Sequence, residues 1–445
     1  MKTLTAVLCI LPGAGFACAL PPSVILTLPT GHYITAAALT VAVTAMLGAM
    51  AQRMPAMTPV LVGERRIRVP ETLTSYLSFL AFLGLLLIGW FGSRDPMHNL
   101  MTLVFWTGVW IAVPLASMLF GNLWRPLSPW TGPVRMARVL LGRTTSVGLS
   151  RLGHGPAICG YAGFVWFHMV SMSPDDPAVL AAVAGTYWLV IFALAVAEGE
   201  DWLDQGEFLT VLFGLIARVA PLWHERSGDH LRLMRGWPGA QVVRMPALSP
   251  SAVVFVTLAL AALTFDGLSD TFWWQGVIGQ NPLEPVGRSA VMLENTAGLL
   301  AVWVLTLGVL LAGLRLVRVL GGEAGPVVLS FLAIAAGYHA AHYIVMLLTA
   351  GQYTLAALND PFFRGDSWLG LPPFYVSFGF LTDPKVMPLI YGAQFAAILG
   401  AHLLAVILSL RLTVRSRTVA HLPMTVLMVG YTVLGLWLLS TARVG

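Results

Sequence analysis

TAGLLAVWVLTLGVLLAGL, residues 296–314, decides the fold. Nineteen residues pass without a charge, and at 1.5 Å per residue a helix of that length is about 28 Å long. A bilayer's hydrocarbon core is about 30 Å thick, so the segment reads as a membrane-spanning helix. Comparable blocks recur at 30–51, 71–92, 101–120, 155–173, 178–197, 250–267, 326–350, 386–410 and 421–441. Together they predict ten spans in an all-α, polytopic transmembrane helical bundle solvated by the lipid bilayer. Composition agrees: 57% of the chain is hydrophobic and 10% charged, with a mean hydropathy of +0.80, too much apolar surface for a water-soluble globule of ordinary size. The formal net charge is +5, but Lys and Arg are strung through interhelical loops without a dense basic tract, which argues against nucleic acid as a partner.

The N-terminus reads as a signal peptide over 1–19. Lys2, the apolar run from Leu4 to Leu11 and Ala17-Cys18-Ala19 give the basic, apolar and small-residue order of an export signal cleaved after Ala19. Residues 20–445 then form a single transmembrane domain. Cys9 and Cys18 leave with the signal, so Cys159 alone remains and neither an internal disulfide nor a cysteine metal cluster is expected.

Orientation follows from the basic residues. The stretch 208–223 is short and carries Arg218 and Pro221; taken as a re-entrant or interfacial helix, it leaves nineteen Lys and Arg of the mature chain on one side and five on the other. Taken as a span, it gives thirteen against ten with Arg218 inside the membrane. The positive-inside rule selects the first arrangement, which predicts a bacterial inner-membrane protein with both mature termini in the periplasm. Loops 93–100, 268–295 and 351–385 then face the periplasm. Loop 268–295 follows Asp266 and Asp270, which share a face if the helix continues through them and otherwise act as a helix-end cap and a solvated loop charge. Loop 351–385 contains Asn359-Asp360-Pro361, Gly365-Asp366, Trp368 and several prolines, and reads as a turn-rich lid over the bundle.

The polar group that stands out is Tyr338-His339-Ala340-Ala341-His342-Tyr343, midway along the span 326–350. Histidines three apart leave a helix on one face, one turn apart, and in hydrocarbon they must face protein or water. His402, His168 and His32 lie on three further spans. Imidazoles with a carboxylate suit a divalent metal such as zinc or copper, so His339, His342, Asp266 and His402 are candidate ligands. Haem ligation, a proton relay and plain interhelical hydrogen bonding remain open as alternatives. The segment from Asn122 to Trp130 reads as headgroup anchoring. The acidic run from Glu198 to Glu207 reads as a partner for the Arg-rich stretch 226–244. No phosphate-binding glycine loop, serine nucleophile elbow or internal repeat is found.

Several segments carry a family likeness: Gly121-Asn122-Leu123-Trp124-Arg125-Pro126-Leu127-Ser128-Pro129; Gly214-Leu215-Ile216-Ala217-Arg218-Val219-Ala220-Pro221-Leu222; Phe265-Asp266-Gly267 with Trp273-Trp274; and Ala341-His342-Tyr343 running on to Gly351-Gln352 and Asp360-Pro361. Through them most of the mature chain resembles a family of bacterial polytopic membrane proteins known as fenitrothion hydrolases. It departs from the pattern at Leu123, where proline is expected, and lacks a His-Gly start to the mature chain. The resemblance implies metal-dependent hydrolysis of an organophosphate triester, by a metal that activates water. His339 and His342 would hold that metal with Asp266 or His402, Asp270 would act as base or orienting group, and the 351–385 loop would cover a small apolar substrate. Two other classes remain open: a protein that transports or handles metal ions or protons, and a non-catalytic membrane subunit that anchors a membrane or periplasmic protein partner.

Overall fold

A computed structural model describes residues 30–50, 56–67, 70–284, 286–372, 375–414 and 416–441; the expected signal at 1–19 lies outside them. The fold is an all-α polytopic bundle. Its main helices are α1 (Thr30–Met50), α2 (Glu71–Phe91), α3 (Leu100–Phe120), α4 (Thr131–Leu140), α5 (Gly155–Met169), α6 (Pro177–Glu198), α7 (Phe208–Val219), α8 (Pro250–Ser269), α9 (Met292–Val319), α10 (Phe331–Asn359), α11 (Met387–Leu412) and α12 (Leu422–Ser440). Among the described residues nine helices are long and apolar enough to cross a membrane. The predicted span at 155–173 is shorter than expected: α5 has 15 residues, about 22 Å of helix. Past Met169 the Arg288 guanidinium donates to the carbonyls of His168 and Ser171 at 2.9 and 3.4 Å, which a helix end leaves without amide donors.

The loop after α10 begins later than the sequence implies. Residues 351–359 continue the helix, since nothing in Tyr353-Thr354-Leu355-Ala356-Ala357-Leu358 breaks it before Asp360-Pro361. Asn359 then organises the turns beyond the helix end. Its side-chain carbonyl accepts from Leu369 N at 3.0 Å and its amide donates to Leu371 O at 3.2 Å. Asp360 accepts from the amides of Arg364 and Gly365 at 2.9 and 2.7 Å. Burial acts most strongly on its carboxyl and raises the pKa, but the amides of Arg364, Gly365, Asp366 and Phe362 together outweigh it and hold the group below the usual aspartate range.

α7 occupies the middle of the bundle, enclosed by α3, α5 and α10. Its Phe213 packs against Trp110 and Trp124, and its Phe208 against Tyr161 and Phe164. Glu207, fully buried, caps it by accepting from Leu209 N at 2.9 Å, Thr210 N at 2.7 Å and the Tyr187 hydroxyl at 2.8 Å. Both flanks of α7 return to one end of the bundle: upstream, Glu200 pairs with Arg135 of α4, and downstream Trp223 packs on Gly121, which ends α3. α7 is thus too short to cross and is entered and left from the same end, as expected of a re-entrant or interfacial helix over 208–223.

At that end lies a three-stranded antiparallel sheet that the sequence pattern does not announce. β1 (Val60–Arg66), β2 (Leu222–Ser227) and β3 (His230–Arg235) pair in the order β1-β3-β2. A two-residue turn, Gly228-Asp229, closes the β2–β3 hairpin with Gly228 at φ +56, a conformation glycine takes readily. The expected pairing of 226–244 with the acidic run 198–207 does not form. Arg226 pairs with Glu71 at 3.6 Å, Arg232 with Glu64 at 3.3 Å and Arg244 with Glu225 at 3.3 Å, while Glu198 is taken by the amides of Val147, Gly148, Leu149 and Ser150. Strand pairing places the arginines closer to other acids.

α10 and α11 meet backbone to backbone at Gly337. A Cβ there would overlap Ala401 Cβ and lie 2.7 Å from the Ala397 carbonyl oxygen, and small residues of this kind let membrane helices approach closely. Gly337→Val should therefore destabilise the bundle by roughly 1–3 kcal/mol through overpacking; a lowered melting temperature in detergent, with Gly351→Val as a control on the same helix, checks it.

Candidate functional site

The histidine segment of α10 faces α3 and α8, and its side chains go to different places. His342 Nε2 lies 2.9 Å from Asp266 Oδ2, and the Tyr343 hydroxyl donates to the same oxygen at 2.7 Å. An ionised carboxylate only accepts, so the His342 hydrogen on this contact sits on Nε2 and neutral His342 keeps its lone pair on Nδ1. Both side chains are nearly enclosed, at 14% and 15% exposure. Asp266 comes from the last turn of α8, and Tyr343 follows His342 directly. Two consecutive α10 residues thus reach one carboxylate oxygen on another helix.

His339 has a separate function. It donates from Nε2 to the Trp110 carbonyl at 3.1 Å, and the origin of that acceptor is legible in α3. Val104–Ala112 is a π-helical stretch and Pro114 comes just after it. Proline has no N–H to give the carbonyl four residues back, and that carbonyl belongs to Trp110. His339 satisfies a backbone group that hydrocarbon would otherwise leave bare.

His402 and Asp270 do not join the cluster. His402, 1% exposed, bonds through Nδ1 to Ile398 O of its own helix at 2.8 Å, and its Nε2 has no partner among the described residues. Asp270 is the exposed C-cap of α8, so it does not share the enclosed position of Asp266. His32, at the start of α1, is exposed. No group of three or more His, Cys, Asp or Glu among the described residues is arranged to hold a metal ion. Of the four candidate ligands only Asp266 and His342 meet, and they are bonded to each other. The set of three donors that zinc or copper would require is therefore not assembled among the described residues.

Other residues belong to the site. On α5 the ring of His168 lies 4.5 Å from that of Trp106, and its buried Nδ1 has no partner among the described residues. Gln394, 5% exposed, donates to the Ala341 carbonyl at 2.8 Å and ties α11 to α10 beside His342. His342 lines a recess with Tyr338, Ala341, Ile398, Gly435 and Leu439, whose space for a water centre is about 10 Å³. That is one water molecule. A second slot, lined by Leu260, Leu263, Ile334 and Tyr431 among others, meets it at Tyr338 and Gly435 and is no larger. Neither accommodates an apolar ester, which needs roughly 300 Å³ or more.

A carboxylate left alone in this setting is costly. His342→Leu should destabilise the protein by about 3–5 kcal/mol, whereas the double variant Asp266→Leu with His342→Leu should lose much less than the sum of the two single leucine losses; thermal unfolding of the wild type, the two single variants and the double gives the coupling, and simple additivity would contradict it. For the second anchor, His339→Phe should cost roughly 1–3 kcal/mol by baring the Trp110 carbonyl, and Pro114→Ala should recover part of the loss by supplying a local N–H. Comparison of the chain with family models, characterised proteins and solved structures finds no match, so these contacts carry the functional argument.

Proposed function

We propose that the protein is a multi-pass protein of the bacterial inner membrane whose working centre is a proton-transfer dyad, His342 oriented by Asp266, in the periplasmic half of the bundle. The observation that carries this reading is the 2.9 Å contact between His342 Nε2 and Asp266 Oδ2 inside two apolar helices. Ionisable residues are expensive in hydrocarbon and are kept where ions or protons move. Asp266 holds one face of the imidazole and leaves Nδ1 as a base. When Nδ1 takes a proton from water, the adjacent carboxylate stabilises the imidazolium, and the Tyr343 hydroxyl keeps its bond to Asp266 throughout. Release reverses the step. The nineteen-to-five bias of basic residues orients the dyad toward the periplasm under the positive-inside rule.

The organophosphate hydrolysis implied by the family resemblance is a second reading, favoured by the one-water recess beside His342. A histidine held by a carboxylate is a competent general base toward water. Against it stand the water-sized volume of the two recesses at Tyr338 and Gly435 and the absence of a three-donor metal set among the described residues. Proton transfer needs neither.

Reconstitution in vesicles with a trapped pH indicator separates the two. Under an imposed membrane potential the wild type should show protein-dependent proton flux, reduced at least tenfold in Asp266→Asn and His342→Gln. Flux equal to that of empty vesicles sinks the proposal. Turnover of a chromogenic phosphotriester that His342→Gln abolishes would put hydrolysis in its place.

A further inference from the structure

The sheet at the arginine-rich end has no part in the dyad, and its outer strand is unlike an ordinary solvated edge. Every residue of β1 is exposed, including Val60, Leu61 and Val62 at 64%, 49% and 56%. Registers place Val60 opposite Arg235 and Arg66 opposite His230. Glu64, Glu225 and Glu71 are engaged by Arg232, Arg244 and Arg226 respectively. Arg65, Arg66 and Arg235 form no ion pair among the described residues, and all three are exposed. Asp229, at the hairpin turn, is the sheet's remaining acid. Trp237, 64% exposed, comes two residues after Arg235.

Position settles what such a surface meets. Trp223 of β2 packs on Gly121 at the end of α3, Gly239 just beyond β3 packs on Leu408 near the end of α11, and Arg226 reaches Glu71 at the start of α2. The sheet therefore lies across helix ends, at the depth where bilayers present headgroups and where Trp and Arg concentrate. Branched apolar side chains beside unpaired guanidinium groups match the boundary between acyl chains and phosphate. An unpaired edge can also accept a strand from another protein. The bulge between Leu61 and Gly63 breaks the even register of β1, which blunts an edge against strand addition.

We infer that this sheet is a docking surface for anionic phospholipid headgroups, with Arg65, Arg66 and Arg235 on the phosphates and Val60, Val62 and Trp237 at the acyl boundary. The full chain in neutral detergent, titrated with phosphatidylglycerol or phosphatidylcholine and followed by thermal unfolding, tests it. The wild type should be stabilised preferentially by phosphatidylglycerol. Replacing the three arginines, R65Q/R66Q/R235Q, should weaken the apparent affinity roughly a hundredfold, at about 1 kcal/mol per basic residue, while the phosphatidylcholine response stays unchanged. High salt should abolish the preference in the wild type, a readout that does not depend on the variant folding. Equal responses to the two lipids, a preference untouched by salt, or hydrogen exchange showing β1 protected by a copurifying polypeptide and not by lipid would each overturn the inference.

Discussion

A carboxylate enclosed among apolar helices has little water to solvate it, and at Asp266 the missing solvation is supplied by His342 and Tyr343, which close on one of its oxygens at 2.9 and 2.7 Å. The geometry around it follows from that need. α10 must lie against α8 with the right face turned, which the close approach of Gly337 to Ala397 and Ala401 on the other side of the helix permits. Gln394, bound to the Ala341 carbonyl, fixes the rotation of α10 one residue before His342. Packing and polar satisfaction are here the same constraint, because a helix rotated by one residue would carry His342 away from its partner.

The same rule separates the other histidines. His339 serves a carbonyl that Pro114 strips of its usual donor, a structural role complete in itself. His402 uses one nitrogen on its own helix and leaves the other bare. Glu207, though as deeply buried as any group in the protein, has its oxygens filled by Tyr187, Thr210 and two amides, the full complement of a helix cap. Asp266 differs because one of its partners is itself a base, and that residue, His342, lines a water-sized recess.

Helix existence was legible because apolar length is a strong and local signal. Nine of the ten predicted spans are long helices, and the exception, α5, ends at Met169. That 208–223 is a re-entrant or interfacial helix was also legible, from its shortness, from Arg218 and Pro221, and from the count of basic residues on either side. The sheet was not: its strands lie far apart in sequence, and its Arg-rich segments show little alternation until β3 brings β1 and β2 together. For the site, periodicity rightly put His339 and His342 on one helix face but could not say that one face spans two neighbours, α3 and α8. Tyr343 was visible as a neighbour of His342 without a role, since adjacent residues point about 100° apart and only the position of Asp266 makes both reach it. The spacing of Trp110 from Pro114 was the one signal that could have separated His339 from the candidate ligands.

A buried ion pair is a weak source of stability. Apolar side chains of similar size at 266 and 342 would fill the same space without removing charge from water, and such replacements are often neutral or favourable. The aromatic core around α7, where Phe213, Trp110, Trp124 and Tyr161 interlock, is built without either residue of the pair. What the pair supplies that leucines cannot is a place for a proton. Glu207, another enclosed acid that the structure satisfies fully, is a helix cap; a base held by an acid between two apolar helices is the feature that chemistry explains and packing does not.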